Sequence, residues 1–198
     1  MRMKNIPLFP LNIVALPKEK IPLHIFEPRY KRMIKNSINS GEPFGIIHQD
    51  QDGFKSIGCS VKIVNVIKEY SSGEFDIIVE GQQCFQIETK VQEDDNLWIG
   101  TVSFLKDQHQ INEDLLDKIR DQYLHIIMKL GINEDMERHI NKKNSFDFIE
   151  FVNLPNKIKQ ELLEEDDENK RLQIINRIFT AVMSISNFGS NGQQISEA

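Results

Sequence analysis

The residue types that most often carry catalysis are present in this chain, but they do not form known catalytic patterns. The nucleophile string Gly-x-Ser-x-Gly is absent, and so is the zinc-binding string His-Glu-x-x-His. No glycine-rich loop ends in Gly-Lys-Ser or Gly-Lys-Thr, which would cradle the phosphates of ATP. The sequence therefore predicts no catalytic, cofactor-binding or metal-binding residue. The histidines lack metal-ligand spacing and are read as structural or exposed: His24, His48, His109, His125 and His139.

Two adjacent carboxylate pairs have the residue types of a general acid and base. Asp94 and Asp95 fall in one polar turn, and Asp166 and Asp167 fall in another. Water in such turns keeps both carboxylates ionised with ordinary pKa values, which argues against catalysis. A serine-lysine dyad leaves no sequence signature, so a peptidase with a concealed dyad stays open as a third alternative.

The two cysteines, Cys59 and Cys84, lie 25 residues apart and have no cysteine or histidine pair near them. This spacing supports neither a disulfide framework nor a zinc site. We read both as reduced, small residues of the core.

Charge and composition narrow the class of partner. The chain has 30 acidic and 24 basic side chains, and its net charge of −6 repels a phosphate backbone, so no nucleic-acid partner is expected. The local basic group Arg29, Lys31, Arg32 and Lys35 is equally well explained as a solvated helix face. No apolar run is long enough to span a membrane, and the first residues lack the apolar stretch of a signal peptide. We therefore expect a cytoplasmic protein.

The apolar pattern changes near residue 108 from a period of 2 to a period of 3.6. The sequence thus predicts an α+β protein with a β subdomain at residues 1–108 and a helical subdomain at 109–186. Residues 187–198 are rich in Gly, Ser, Asn and Gln and are expected to form a flexible tail.

Within the β subdomain, alternating runs at 75–79 and 85–91 predict half-buried strands, and Ser71 to Glu74 predicts a hairpin turn. The apolar phase slips between Ile63 and Val64, which predicts a bulge and a curved strand. Gly100 predicts a bend or a close backbone approach. One helix is inserted, beginning at Pro28 and ending at Gly41.

The helical subdomain begins with an apolar stripe from Leu115 to Leu130. A shorter helix is expected at 134–140, followed by one capped by Ser145 that carries three phenylalanines. Two further helices are predicted on either side of the acidic run at 164–168. The phenylalanines are Phe146, Phe148 and Phe151, which we read as core residues.

Several separated strings occur in the order typical of one family. They are "PLFPL" from Pro7, "PLHIFEPRY" from Pro22, "GCSVKIVNV", "IIVEGQQCFQI" and the helical "LPNKIKQELLEEDDENKRLQIINRIF". Together they resemble the N-terminal substrate-recognition domain of Lon proteases, over roughly residues 6–183. The resemblance implies a PUA-like curved β pseudo-barrel, then a C-terminal helical bundle, and a role in engaging polypeptides.

Two departures from that family are visible. The chain ends before the ATPase and peptidase modules of a full-length Lon protease, so it resembles the stand-alone Lon-domain proteins and is expected not to be an enzyme. The family usually has Pro-Gly where this chain has Pro17 and Lys18, so we expect a different turn geometry near Lys18.

The candidate substrate-binding residues fall into two groups. Ile25, Phe26 and Tyr30 of "PLHIFEPRY" are expected to pack in the core. The charged side chains of Glu27, Arg29, Lys31 and Arg32 are expected to stay at the surface. There they contact a polypeptide or, as we favour, pair with each other. Phe9, Leu11 and Trp98 either pack in the core or form an exposed apolar surface that holds an unfolded segment, and the sequence does not separate the two. The candidates are Glu27, Arg29, Lys31, Arg32, Phe9, Leu11 and Trp98.

The leading functional hypothesis is a non-catalytic module that binds unfolded or partly apolar polypeptide segments, with a separate protease or chaperone as a further partner. The alternative is a small-ligand- or RNA-binding PUA-like protein. Salt separates the two, because RNA binding weakens steeply as salt rises and apolar peptide binding does not.

Overall fold

The computed structural model describes residues 3–106, 110–150 and 152–190 of the chain. The chain divides into two compact units. The first unit comprises Met1–Lys106 and Leu154–Glu164, and the second comprises Asp107–Asn153 and Glu165–Ala198. The α+β class is confirmed, with a mostly antiparallel sheet in the first unit.

The sheet of the first unit has the strand order β1-β7-β6-β5-β3-β4, and β2 pairs separately with β6. β1 also pairs with β3 in parallel, so five strands pair in a ring. The strands are β1 (Met3–Leu11), β2 (Lys20–Ile25), β3 (Phe44–Asp50), β4 (Gly53–Phe54), β5 (Ile57–Glu69), β6 (Phe75–Gln92) and β7 (Trp98–Phe104).

The β5–β6 hairpin confirms the predicted turn and the predicted bulge. Tyr70 donates its N–H to the carbonyl of Glu74 at 2.9 Å, and the register of β5 shifts at three places, one of them between Ile63 and Asn65. The two runs predicted separately at 75–79 and 85–91 are one strand, which continues through Gly81. A Cβ at Gly81 would lie 2.0 Å from the carbonyl oxygen of Leu16, so only glycine fits this close approach.

A second close approach lies at Gly100, as predicted, where a Cβ would be 2.8 Å from a methyl carbon of Leu8. The turn before β2 contains Lys18. Lys18 adopts a φ of 68°, in the left-handed region that favours glycine, and donates its N–H to Gly81. Lys18 therefore adopts a backbone conformation that glycine takes more readily than lysine.

The inserted helix is α1 (Pro28–Ser40), with proline in its first turn and Gly41 ending it at a φ of 70°. Tyr30 and Ile25 are buried as expected. The prediction for Phe26 is wrong, since its side chain is 60% exposed. Phe26 lies between the last residue of β2 and the N-cap of α1, and most of its side chain stays open to solvent.

One helix from the C-terminal half belongs to the first unit. It is α4 (Asn156–Glu164), which buries Leu162 and Leu163. Asn156 donates to the carbonyl of Asn12 at 3.0 Å, and Gln160 donates to the carbonyl of Ile57 at 3.3 Å. The subdomain boundary at residue 108 stays a prediction.

The second unit contains α2 (Glu113–Lys129), α3 (Met136–Ile140), a 3₁₀ helix (Ser145–Phe148) and α5 (Glu168–Ser190). The Asn112 side chain caps α2 by accepting the N–H of Leu115 at 3.0 Å. Tyr123 packs between Phe148 and Phe179, with ring centroids 5.5 and 6.2 Å away. The predicted stripe of α2 therefore faces a neighbouring helix.

The prediction for Ser145 is wrong. The N-cap of the 3₁₀ helix is Asn144, and Ser145 is fully buried with its hydroxyl on Glu168. Phe146 and Phe148 are buried as expected, whereas Phe151 lies outside the described residues. α5 runs to Ser190, and residues 191–198 of the predicted tail also lie outside them. Among the described residues, no helix is both long enough and apolar enough to cross a membrane.

Candidate functional site

The N-terminus of α1 and the turn between β6 and β7 bring together part of the predicted site. Glu27 and Arg29 form an ion pair, with Nη2 and Oε2 2.8 Å apart. Arg29 also donates to the carbonyl of Asn96 in the turn at 3.1 Å, and its guanidinium lies 4.6 Å from the centre of the Tyr30 ring. Arg29 thus fastens the helix start to the turn.

The other two charged candidates pair with different segments of the first unit. Arg32 contacts Asp95 at 2.5 Å and Glu93 at 3.2 Å. Lys31 donates to the carbonyl of Ser72 at 3.0 Å, and its Nζ lies 3.8 Å from Glu74. Each of the four charged candidates therefore has an opposite charge beside it.

A cavity of about 400 Å³ opens between the helix start and the β6–β7 turn. Five of the six residues that line it are polar or charged, and the sixth is Pro28. The lining residues are Glu27, Pro28, Arg29, Gln92, Asp95 and Asn96.

The three apolar candidates lie in different places. Phe9 is buried, with its ring 4.2 Å from that of Tyr30, so it supports α1 from the core. Trp98 is half-buried, edge-on to Phe54 at 5.5 Å, and the ammonium of Lys90 lies 4.1 Å from the Phe54 ring. The third, Leu11, is half-buried at a second cavity of about 600 Å³. The predicted set is therefore not a single site.

Sequence reasoning missed an aromatic surface made by His24, Phe26 and Tyr70, which we call the Phe26 surface. The His24 ring stacks on Phe26 with centroids 6.1 Å apart and meets Tyr70 edge-on at 6.0 Å. Alternation along β2 was the available signal, because it places Phe26 on the face of the polar His24 and opposite the buried Ile25.

Asp76 on β6 links two members of the Phe26 surface, Tyr70 and His24, through hydrogen bonds. One carboxylate oxygen accepts the Tyr70 hydroxyl at 2.6 Å, and the other lies 2.7 Å from Nδ1 of His24. The Tyr70 hydrogen bond, and next that of His24, hold the pKa of Asp76 below its ordinary value. The same hydrogen bond raises the pKa of Tyr70, so the carboxylate stays charged and the hydroxyl stays a donor.

Among the residues that the structure describes, no group of three or more His, Cys, Asp or Glu side chains is arranged to hold a metal ion. The Tyr70, Asp76 and His24 contacts are a hydrogen-bonded support for an exposed aromatic ring. What this arrangement offers chemically is an apolar contact surface with a polar border.

The family described as the ATP-dependent protease La (LON) substrate-binding domain matches residues 5–181. A Lon protease from Cytophaga hutchinsonii is 29% identical over 187 residues, which are 84% of this chain and 23% of that protein. The chain therefore spans about a quarter of the length of this relative.

Two solved structures share the fold. The N-terminal domain of the Mycobacterium avium complex Lon protease superimposes with a TM-score of 0.74 at 18% identity, covering 89% of this chain and 98% of that one. A Lon N-terminal domain protein from Xanthomonas campestris gives a TM-score of 0.65 at 24% identity, covering 86% and 95%.

Proposed function

This chain belongs to the family of LON substrate-binding domains, and on that premise we propose that it recognises unfolded or partly apolar polypeptide segments without cleaving them. The family match extends over residues 5–181. Action as an adaptor for a separate protease or chaperone is part of the proposal, and so is the cytoplasmic location expected from the sequence.

The exposed ring of Phe26 carries the proposal. An aromatic side chain that is 60% exposed offers the kind of contact area that supplies most of the affinity at protein interfaces. Native proteins bury the apolar side chains that would dock on it, whereas unfolded chains present them. Binding should therefore discriminate unfolded from native protein.

Charges around the Phe26 surface favour an uncharged segment. His24 has Asp76 beside it, Glu27 has Arg29, and Lys31 has Glu74. A charged segment would have to compete with these pairs, whereas an apolar segment leaves them intact. Binding should for that reason change little with salt.

The sequence-predicted residues take different roles in this proposal. Glu27 and Arg29 border the Phe26 surface and contact the bound segment, while Lys31 and Arg32 hold α1 to its neighbours. The apolar candidates Phe9, Leu11 and Trp98 act as support. The PUA-like pseudo-barrel, the C-terminal helical bundle and the division of the chain at residue 108 belong to the same proposal.

A fluorescence-anisotropy titration tests the proposal. A labelled, permanently unfolded protein and its native counterpart are titrated with the chain at two salt concentrations. The expected result is salt-tolerant binding to the unfolded form alone. Absence of binding to either form would sink the proposal.

A matched pair of variants locates the binding. Phe26→Ser should weaken binding at least fivefold, since removing an aromatic anchor costs more than about 1 kcal/mol. Met128→Ser is the control, because Met128 is 62% exposed but lies in the second unit. Both variants should keep wild-type stability to within about 0.5 kcal/mol. Equal affinities would move the binding site away from Phe26.

The second cavity favours one other candidate function, binding of a small ligand. Its volume of about 600 Å³ lies in the range of small-molecule sites, and its walls combine apolar and amide groups. Salt separates RNA from the other ligand classes, because RNA binding weakens steeply as salt rises. A small ligand in this cavity would not compete with the unfolded protein in the titration. The lining residues are Pro10, Leu11, Asn12, Gln49, Asp50 and Gln51.

The absence of peptidase activity has its own test. The purified chain is incubated with casein, and cleavage is followed by electrophoresis. We expect no fragments above background. Cleavage that persists through rigorous purification and disappears when one serine is replaced would overturn the non-catalytic part of the proposal.

A further inference from the structure

Cys59 and Cys84 stand directly opposite each other on β5 and β6. The hydrogen bond from the Ile87 N–H to the Ser56 carbonyl, at 2.8 Å, marks a hydrogen-bonded pair three residues before Cys59 and three residues after Cys84. Opposite residues in an antiparallel pair alternate between hydrogen-bonded and non-hydrogen-bonded positions. Counting inward from Ser56 and Ile87 places the two cysteines in a non-hydrogen-bonded pair. The Cys84 carbonyl accordingly accepts from Leu105 instead of from β5.

This pair type brings side chains closest together. The Cα atoms of a non-hydrogen-bonded pair lie about 4.5 Å apart, which falls inside the range of about 4.4–6.8 Å that a disulfide spans. Both cysteines point to the same face of the sheet, because directly opposite residues share a face. The backbone thus already provides the geometry of a cross-strand disulfide.

The surroundings hold the two strands in this register. Next to the pair, the Ser60 hydroxyl donates to the Gln83 carbonyl at 3.0 Å and accepts the Gln83 N–H at 3.2 Å. Cys59 is fully buried and its thiol donates to the Ser60 carbonyl, whereas Cys84 retains 8% exposure. Both thiols are reduced.

We propose that Cys59 and Cys84 are a latent redox pair, which a low-molecular-weight disulfide oxidises to a cross-strand disulfide that clamps β5 to β6. Cys84, the more accessible residue, loses its proton and attacks the small disulfide, and one small thiol leaves. The deprotonated Cys59 then attacks the sulfur of Cys84, and the second small thiol leaves. Two protein thiols are oxidised to one disulfide, and one small disulfide is reduced to two thiols.

Burial makes this pair slow to react. Burial, and then the neighbouring Cys84, raise the pKa of the Cys59 thiol well above its ordinary value. The thiolate is the reactive form, so little of it is present at neutral pH and oxidation should accelerate as the pH rises. Sustained oxidation, and not a brief pulse, would close the disulfide.

Closure would link the two ends of the segment from Cys59 to Cys84, which contains Tyr70 and Asp76 of the Phe26 surface. A cross-link of this kind restricts the unfolded chain and so favours the folded one. The oxidised chain should melt several degrees higher than the reduced chain. This inference does not depend on the proposed function.

The test is oxidation of the native chain with excess oxidised glutathione at neutral and alkaline pH. Remaining thiols are alkylated and the intact mass is measured. We expect a product that has lost two hydrogen masses, carries neither glutathione nor alkyl group, forms faster at alkaline pH and returns to the starting mass with reductant. Its melting temperature should be raised.

Single variants separate the two roles. Cys59→Ser should stop at a glutathione adduct on Cys84, because the second attack is missing, and Cys84→Ser should react hardly at all. If either variant fails to fold, the wild-type masses still decide. A wild-type chain that keeps both thiols, stops at the adduct, or links only to a second chain would overturn the proposal.

Discussion

The two units differ in how many charged residues they carry and in whether those residues are buried. The segments of the first unit carry fifteen basic and fifteen acidic residues, whereas those of the second carry nine basic and fifteen acidic. Among the described residues, the buried Lys, Arg, His and Glu side chains nevertheless all lie in the second unit. They are His139, Lys142, Glu168 and Arg171.

This difference concerns where each unit places its charged side chains and what they contribute to stability. The first unit has an apolar core, and most of its ion pairs are exposed, where each contributes about 0–1 kcal/mol and side chains can change at little cost. The Lys159–Glu19 pair is an exception that is partly buried. The second unit depends on buried charges that must remain paired.

The network around Arg171 shows what the second unit requires. Arg171 and Glu168 are 2.7 Å apart, and Glu168 also accepts the Ser145 hydroxyl at 3.0 Å and the Ser145 N–H at 2.6 Å. The guanidinium donates further to the carbonyl of Glu165 and lies 5.0 Å from the Phe146 ring. Every hydrogen bond in this network is made by the carboxylate of Glu168 or by the guanidinium of Arg171.

The largest effect is expected from Glu168→Ala. It removes the carboxylate and leaves the Arg171 charge buried, which should destabilise the second unit by about 3–5 kcal/mol. Urea unfolding followed by circular dichroism measures the loss. Lys170→Ala is the control, because its exposed pair with Glu165 should contribute less than about 1 kcal/mol. Equal losses in the two variants would remove the contrast between the units.

A backbone contact should limit the first unit more than any of its charges. Gly81→Ala would place a Cβ 2.0 Å from the Leu16 carbonyl oxygen, so either β6 or the loop that carries Leu16 must shift. We expect a loss of about 1–3 kcal/mol in unfolding experiments, the usual cost of overpacking. Gln82→Ala, at the exposed next position, should have almost no effect. A Gly81→Ala protein with the stability of the wild type would show that the backbone at this contact can shift at little cost.

Two tyrosines provide a direct comparison between the units. Tyr123 in the second unit is buried with its hydroxyl 2.8 Å from Nδ1 of His139, and burial raises the pKa of Tyr123. Tyr123→Phe removes this hydrogen bond in a place that water does not reach, so we expect a loss of about 1–2 kcal/mol. Tyr70→Phe removes a comparable bond to Asp76 at the surface and should cost less. The reverse order in thermal melts would contradict the comparison.

The sequence predicted the elements that local patterns encode. Pro28 and Gly41 delimit α1 because proline suits a first helical turn and glycine a left-handed stop. The phase slip after Ile63 predicted the bulge in β5 because a one-residue insertion reverses the faces of a strand.

Features that depend on distant segments were not predictable in this way. The continuation of β6 through Gly81 depends on the Leu16 carbonyl, which is remote in sequence. Ser145 resembles a helix cap locally, but Glu168 and Arg171 recruit it into a buried network. The residue type of Phe26 predicts a core position, although its side chain is 60% exposed. The proposed Phe26 surface lies where residue type and tertiary contacts disagree.

The smallest effect concerns acid stability of the first unit. Because Tyr70 and then His24 lower the pKa of Asp76 below its ordinary 3.8, the folded chain keeps this carboxylate charged at a pH where the unfolded chain protonates it. Its contribution to stability is therefore complete above about pH 4 and is lost as the pH falls through the lowered pKa. Asp76→Asn keeps the shape and abolishes the titration. The melting temperature of the variant should fall less steeply with acid than that of the wild type. Identical slopes would show that the Asp76 carboxylate adds no pH-dependent stability to the folded chain.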